Sequence, residues 1–292
     1  MSSAFSFVDS NSRDELICYP VNQAGDIPQN IPKPTTVAII PARFASTRLP
    51  GKALIEIAGK PMVCWVAERA QAAKNVDRVI VATDSEEIVH AVQSRGIEVM
   101  LTSSQHTSGT DRVAEVAAAI PEAEIIVNVQ GDEPLISPLT IEKAVATMTA
   151  ELSKTGGAGI VTTWEPIESY SDLVDFDLVK VVIDNDENAV YFSRSPIPCP
   201  RDALKRYGSP EIAFANEPDL LKLFRKHTGL YVYRRQVLLE FTKWPPARLE
   251  QIEALEQLRA LAHGVKIKVI EACSTSIGVD TPKDLERVRV CI

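Results

Sequence analysis

Three groups of residues carry functional groups suited to phosphate and metal chemistry. The first is the segment Pro41-Ala-Arg-Phe-Ala-Ser-Thr-Arg-Leu-Pro-Gly-Lys52, where Arg43, Arg48 and Lys52 place three cations within ten residues. Ser46 and Thr47 add hydroxyl donors, and Gly51 lets the backbone come close to a ligand. That combination supplies charge and hydrogen-bond donors for a triphosphate. The segment is neither a G-x-x-x-x-G-K-[ST] loop nor a G-x-G-x-x-G turn. The second group is a pair of aspartates, Asp132 in Asn128-Val-Gln-Gly-Asp and Asp280 in Gly278-Val-Asp. Hard oxygen donors of this kind suit Mg²⁺, which takes one or two carboxylates and otherwise relies on water and substrate phosphates. The third is Ser108-Gly109-Thr-Asp-Arg112, whose backbone amides and guanidinium suit an anion or a base edge.

Each group also has a plain structural reading. A basic turn is commonly just solvated. Asp280-Thr-Pro-Lys-Asp fits a helix N-cap, Asp132 fits a turn after Gly131, and Ser108 to Arg112 fits ordinary capping beside a surface arginine.

The elements that must position these groups follow from periodicity. Val37 to Ile40 is a short continuous apolar run, as in a buried parallel strand. Further apolar strands are expected at Arg78 to Ala82, Glu98 to Leu101 and Glu124 to Val129. Helices are expected between them: Pro61 to Lys74, one capped by Asp84 with Glu87, Thr110 to Ile120, and one from Ser137-Pro138 to about Leu152. Serial strand–helix–strand units predict an α/β fold: an open, mostly parallel sheet with helices on both faces. Ligands of such sheets sit beyond the carboxyl ends of the strands, which is where the basic loop and Asp132 fall.

The second half has a different texture. Strands are expected at Ala158 to Trp164, Leu178 to Ile183, Ala189 to Phe192, Thr228 to Tyr233 and Lys266 to Ile270. Leu249, Ile252, Leu255, Leu258 and Leu261 predict one continuous helix over 248–262, and Pro282 to Val290 a last one. The division expected is a flexible extension over residues 1–36 and a catalytic domain over 37–292. A smaller β-rich lobe is expected around 175–228.

Composition narrows the function class. The 292 residues carry a net charge of −8, which disfavours general nucleic-acid binding. The apolar fraction, 45%, and the charged fraction, 24%, are those of a globular protein. Five scattered cysteines without a C-x-x-C pair read as reduced thiols of a cytoplasmic protein. No run approaches the roughly 18 apolar residues of a membrane helix.

Taken together, several segments resemble a known family. They are Ile40 to Lys52, Gly59-Lys-Pro-Met62, Val79 to Asp84, Ser108 to Arg112, Asn128-Val-Gln-Gly-Asp-Glu-Pro134, Tyr191-Phe-Ser-Arg194 and Gly278 to Pro282. In this order and spacing they resemble the 3-deoxy-manno-octulosonate (Kdo) cytidylyltransferases, from about Val37 to the C-terminus.

The resemblance implies transfer of a cytidylyl group from CTP to Kdo, giving CMP-Kdo and pyrophosphate for lipopolysaccharide biosynthesis. It implies Mg²⁺ on Asp132 and Asp280, with Arg48 and Lys52 completing the catalytic set. It implies nucleotide contacts from Arg43, Ser46, Arg48, Lys52, Ser108, Gly109, Arg112 and Gln130. Sugar-acid contacts are implied for Arg194, Arg201, His227, Tyr231, Glu256 and Gln257, and the assembly implied is a homodimer.

Departures from the family pattern concentrate on the sugar side: Thr228 after His227, Cys199-Pro200 before Arg201, and a longer stretch over 203–226. Two alternatives accompany this reading. One is a cytidylyltransferase for another sugar acid, such as sialic acid or 8-amino-Kdo. The other is a non-catalytic sugar-nucleotide-binding module, against which the presence of Asp132, Asp280, Arg48 and Lys52 argues.

Overall fold

The first strand, β1 (Thr36–Ala42), is buried at every position except Pro41. A strand of seven residues with apolar side chains on both faces is stable only inside a sheet covered on both sides, and β1 takes that central place. It pairs in parallel with β4 (Arg78–Thr83) and with β6 (Ile125–Asn128). The architecture is that of a computed structural model, which describes residues 33–44 and 49–292. The expected extension therefore lies outside the described residues up to position 32, as do Ser46 and Arg48. The segment Pro34–Ile292 is one compact unit.

The main sheet runs in the order β11-β7-β10-β6-β1-β4-β5, with β5 (Glu98–Leu101), β7 (Ile160–Pro166), β10 (Arg225–Arg234) and β11 (Ile267–Glu271). The β1–β4, β1–β6, β4–β5 and β11–β7 pairs are parallel, and β10 is antiparallel to both β6 and β7. Along this path β10 alone runs against its neighbours. A two-stranded ribbon of β2 (Glu56–Ile57) and β3 (Lys60–Pro61) follows the basic loop.

Alternation along β1 divides the core. Ala38 and Ile40 face α1 (Met62–Gln71) and α4 (Pro138–Leu152), packing with Val63, Val66, Ile141 and Val145. Val37 and Ile39 face α3 (Gly109–Ala118) and α8 (Arg235–Phe241), packing with Val113, Val116, Leu238 and Phe241. Each such side chain taken fully out of water contributes about 1.5–3 kcal/mol. The two apolar faces are thus what recruit helices to both sides of the sheet.

The region around 175–228 combines a hairpin with short helices. The strands β8 (Lys180–Ile183) and β9 (Ala189–Ser193) form a hairpin across the Asp184 to Asn188 turn. It joins the main sheet through Lys180 and Lys226. The helices α5 (Tyr170–Val174), α6 (Arg201–Tyr207) and α7 (Pro210–Asn216) lie before and after it in the chain, and Ile167, Leu173, Phe214 and Phe224 make a small separate core.

Three local expectations change. The helix after β4, α2 (Glu86–Gln93), is capped by Ser85, whose oxygen accepts from Ile88 N, and not by Asp84. The last helix, α11 (Pro282–Cys291), is capped by Thr281 with Asp284 in a capping box, so Asp280 is not its N-cap. The helix expected over 248–262 is two helices, α9 (Arg248–Glu253) and α10 (Gln257–Ala262). The break is at Ala254, which adopts a left-handed φ of 52°. Glu256 stands just before α10 and accepts from Thr110 Oγ1 at 2.7 Å.

Candidate functional site

The carboxyl ends of β1 and β6 open into a cleft of about 510 Å³. Its walls bring together Arg43 and Lys52 from the loop after β1, Ser108, Gly109 and Arg112 at the start of α3, and Gln130 and Asp132 after β6. Glu256 and Asp280 close it from the second half of the chain. Nine of the sequence-derived site residues therefore line one cavity.

Lys52 is the centre of its charge pattern. Gly51 takes a left-handed φ of 64°, and the turn Lys52–Leu54 then aims the lysine inward. Its Nζ donates to Asp132 Oδ2 at 2.6 Å and to Asp280 Oδ1 at 2.8 Å. Burial works to lower the Lys52 pKa, but the two carboxylates outweigh it and hold the ammonium above its ordinary value. Among the described residues no group of three or more His, Cys, Asp or Glu side chains is placed to hold a metal. Two carboxylates already converging on one positive charge do fit a divalent cation that draws its remaining ligands from phosphates and water.

The aspartates are placed by backbone contacts. Gly131 lies against the end of β1, where an added Cβ would stand 2.7 Å from Pro41 O. Only glycine permits that approach, and it delivers Asp132 to the cleft. Val279 N donates to Asp132 O at 2.9 Å, which ties the Asp280 segment to the same turn. Beside Asp132, burial and then the neighbouring Asp132 charge push the Glu133 carboxyl up to about 7.

Arg112 is not a surface arginine. It is 3% exposed, donates to Asp84 Oδ2 at 2.6 Å, and also bonds the Thr102 hydroxyl. Asp84 accepts from Phe44 N as well, at 3.4 Å, so one carboxylate holds the arginine and the mouth of the basic loop. Ser108 caps α3 through Asp111 N at 3.1 Å. Thr110 donates to Glu256 Oε2 at 2.7 Å, which fixes the far wall. Gln130 reaches Asn128 Oδ1 at 3.4 Å.

Sugar-side candidates divide in two. His227, Tyr231 and Tyr233 form an aromatic row with Phe192 along β10 and β9. His227 Nε2 shares a 2.9 Å hydrogen bond with Thr162 Oγ1, and burial pushes its pKa down to about 3. Burial, then the charge of Glu256, raises the Tyr231 phenol. On the same strand, Gly229 stands against the Gln130 side chain. Gln257 is buried at the first turn of α10.

Arg194 is elsewhere. Its guanidinium donates to Glu253 O at 2.8 Å and Phe176 O at 2.9 Å, bracing the β9 end against α9. Arg201 is largely exposed on α6, with Asp202 3.6 Å away. Neither lines the cleft, nor do His227, Tyr231 and Gln257.

Two polar cleft residues were not singled out from sequence. His106 and Thr107 lie on the wall just before the Ser108 turn. His106 Nε2 is hydrogen-bonded to Glu115 Oε2, and Glu115 also accepts from Ser103 N at 3.0 Å. The available signal was their adjacency to the Ser108-Gly-Thr motif; the partner Glu115, a helical turn beyond it, has no local mark.

Comparisons with known proteins bear on this geometry. The model of the family described as Cytidylyltransferase matches residues 37–267. A 3-deoxy-manno-octulosonate cytidylyltransferase of Geobacter sulfurreducens is 51% identical over 251 residues, 86% of this chain and 96% of that protein. One from a Psychrobacter species is 43% identical over 263 residues, 88% of this chain and 94% of that protein. Among solved structures, a CMP:2-keto-3-deoxy-manno-octonic acid synthetase complexed with CTP superposes with a TM-score of 0.77. It is 40% identical, and the match covers 88% of this chain and 98% of that one. A cytidylyltransferase from Leptospira borgpetersenii, 17% identical with a TM-score of 0.54, shares the fold over 89% of this chain and 87% of its own.

Proposed function

The chain belongs to the cytidylyltransferase family, among the 3-deoxy-manno-octulosonate cytidylyltransferases, and from that premise we propose that it activates Kdo. The reaction is CTP + Kdo → CMP-Kdo + pyrophosphate. The anomeric hydroxyl oxygen bonds to the α-phosphorus, the bond from that phosphorus to the bridging oxygen of the β-phosphate breaks, and the hydroxyl proton is lost. The observation that carries the reading is the convergence of Lys52, Asp132 and Asp280 at the end of β6, inside the cleft that Arg43 also lines.

Asp132 and Asp280 are the residues that would hold Mg²⁺. When bound, such an ion neutralises phosphate charge and lowers the pKa of an attacking hydroxyl. The chain's own groups do the positioning. Arg43 and Lys52, with Arg48, offset the charge of the triphosphate and of the leaving pyrophosphate. The amide end of α3 at Ser108 and Gly109 suits the nucleotide, and Glu256, anchored by Thr110, limits the cleft on the far side. Gln130, in the cleft wall, supplies an amide suited to the hydroxyls of the acceptor. No covalent intermediate is required, because orientation and electrostatics account for most of the catalysis of phosphoryl transfer.

The same reading carries a homodimer, for which Phe176 and Val190, 68% and 59% exposed on the lobe, offer apolar surface. It also carries a cytoplasmic role in lipopolysaccharide synthesis. No helix among the described residues is long and apolar enough to cross a membrane.

Pyrophosphate release with CTP against the other nucleoside triphosphates, and with Kdo against sialic acid and 8-amino-Kdo, tests the proposal. Release with sialic acid and none with Kdo would overturn the acceptor. CTP binding without release in the presence of Mg²⁺ and Kdo would favour a binding module.

A further inference from the structure

A buried glutamate and a half-buried lysine, on β7 and β10, form an ion pair that the reaction itself does not use. Glu165 on β7 is 1% exposed, and Lys226 stands directly opposite it on β10, with Nζ 2.7 Å from Glu165 Oε2. A buried carboxylate persists only when it is compensated. Lys226 provides the charge, and the other oxygen holds a backbone amide, since Glu165 Oε1 accepts from Ser276 N at 2.9 Å.

Ser276 belongs to the segment between β11 and α11, which has no regular structure and ends at Asp280. Ahead of Asp280, four backbone amides of this segment donate to residues outside it. Ala272 N donates to Trp164 O, Cys273 N to Thr140 Oγ1, Ser276 N to Glu165 Oε1 and Val279 N to Asp132 O, each at 2.9 Å. Only the Glu165 bond has a charged acceptor, and charge-assisted bonds are about twice as strong as neutral ones. It is also the last side-chain anchor before Asp280.

We propose that Glu165, held by Lys226, is a positioning residue that sets where Asp280 stands relative to Asp132, and so tunes the affinity of the two aspartates for a divalent cation. This role rests on the cation reading given above. Lys226 supplies counter-charge to Glu165, and Glu165 touches neither aspartate.

The test uses the full chain and Mn²⁺ as the probe, with binding followed by the loss of the free-ion EPR signal in the absence of nucleotide. Amide hydrogen exchange over 272–280 is measured in parallel. Glu165→Ala removes the acceptor and is expected to weaken Mn²⁺ binding about 10–100-fold, the usual cost of losing an outer partner of a metal ligand. Exchange at Ser276 and Val279 should speed up in that variant. Glu165→Gln keeps an acceptor oxygen for Ser276 N but loses the charge and leaves Lys226 uncompensated, so its Mn²⁺ affinity should fall between those of wild type and Glu165→Ala. Ser276→Pro deletes the donor while leaving Glu165 and Lys226 paired, and it is the variant to use if Glu165→Ala does not fold. It should show the same loss of Mn²⁺ affinity. A folded Glu165→Ala or Ser276→Pro protein that binds Mn²⁺ as tightly as wild type would overturn the role of Glu165 alone. Wild-type protein that binds no Mn²⁺ would overturn the cation reading and this role with it.

Discussion

Lys52 Nζ bridges Asp132 and Asp280, residues 80 and 228 positions further along the chain, at 2.6 and 2.8 Å. One ammonium thus stands between two carboxylates at the end of the central strands. In this arrangement the lysine is a counter-ion to the aspartates. In the proposed reaction its charge is wanted by the phosphates, and cation and nucleotide binding would then draw it off the carboxylates.

Replacing that charge tests its role. Lys52→Met should lower kcat about 100-fold or more, the range seen when a donor to developing negative charge is removed. Lys52→Arg should retain more activity than Lys52→Met but less than wild type, because a planar fork does not reproduce a point charge between two carboxylates. Steady-state pyrophosphate release measures both. A Met variant with wild-type kcat would remove Lys52 from the mechanism.

Asp132→Asn and Asp280→Asn should each cut turnover about 100-fold or more while leaving the fold in place. Asp280 is dispensable for capping because Thr281 and Asp284 cap α11 themselves, with Thr281 Oγ1 accepting from Asp284 N at 3.3 Å. Thermal unfolding should therefore shift little in Asp280→Asn. Activity measured across a Mg²⁺ series, beside a melt of each variant, separates the two effects. Turnover like wild type in either variant would contradict its assignment.

Gly131→Ala should be costly at a site that carries no functional group. The added methyl meets Pro41 O at 2.7 Å, and a backbone oxygen in a central strand cannot yield cheaply. Overpacking of this kind costs about 1–3 kcal/mol, and here it also displaces Asp132. A lowered melting temperature together with a lowered kcat is expected. An Ala variant that matches wild type in both would show that the turn relaxes.

His227 gives a pH dependence whose sign follows from its burial. Its pKa is pushed from the ordinary 6.5 down to about 3. Above pH 6.5 the ring is neutral in folded and unfolded chains alike. Below that, the unfolded chain takes up a proton that the folded one refuses, so stability falls as pH drops towards 3, by about 1.4 kcal/mol per pH unit at most. His227→Gln should flatten the acid side of the stability curve relative to wild type between those limits. Urea unfolding at pH 7, 5.5 and 4 checks this, and parallel curves for the two proteins would refute it.

Much of the fold was legible because its signals are local. Val37 to Ile40 and Glu124 to Val129 announce buried strands by apolar continuity, and Pro138 and Gly96 punctuate helices through their own backbone restrictions. The sheet and its helical layers follow from that rhythm. The chemical character of the basic loop and of the two aspartates was legible in the same way, since charge and hydroxyl content are properties of residue type.

Side-chain partnerships were not. Local pattern made Asp280 a helix cap, and the structure gives the cap to Thr281 and turns Asp280 towards Lys52. Leucine spacing made 248–262 one helix, whereas Ala254 breaks it and Glu256 reaches Thr110 across the cleft. The plain reading of Arg112 made it a surface arginine, and it is buried on Asp84; for Arg194 the resemblance implied a sugar contact, and local pattern gave no sign that its guanidinium donates to backbone carbonyls. The sequence by itself determined the inventory of cations, carboxylates and strands, since each depends on residues near one another in the chain. Which of those charges meet was decided only when the sheet aligned the ends of β1 and β6 and brought the segment after β11 against them. Long-range proximity is a property of packing, and no local spacing encodes it.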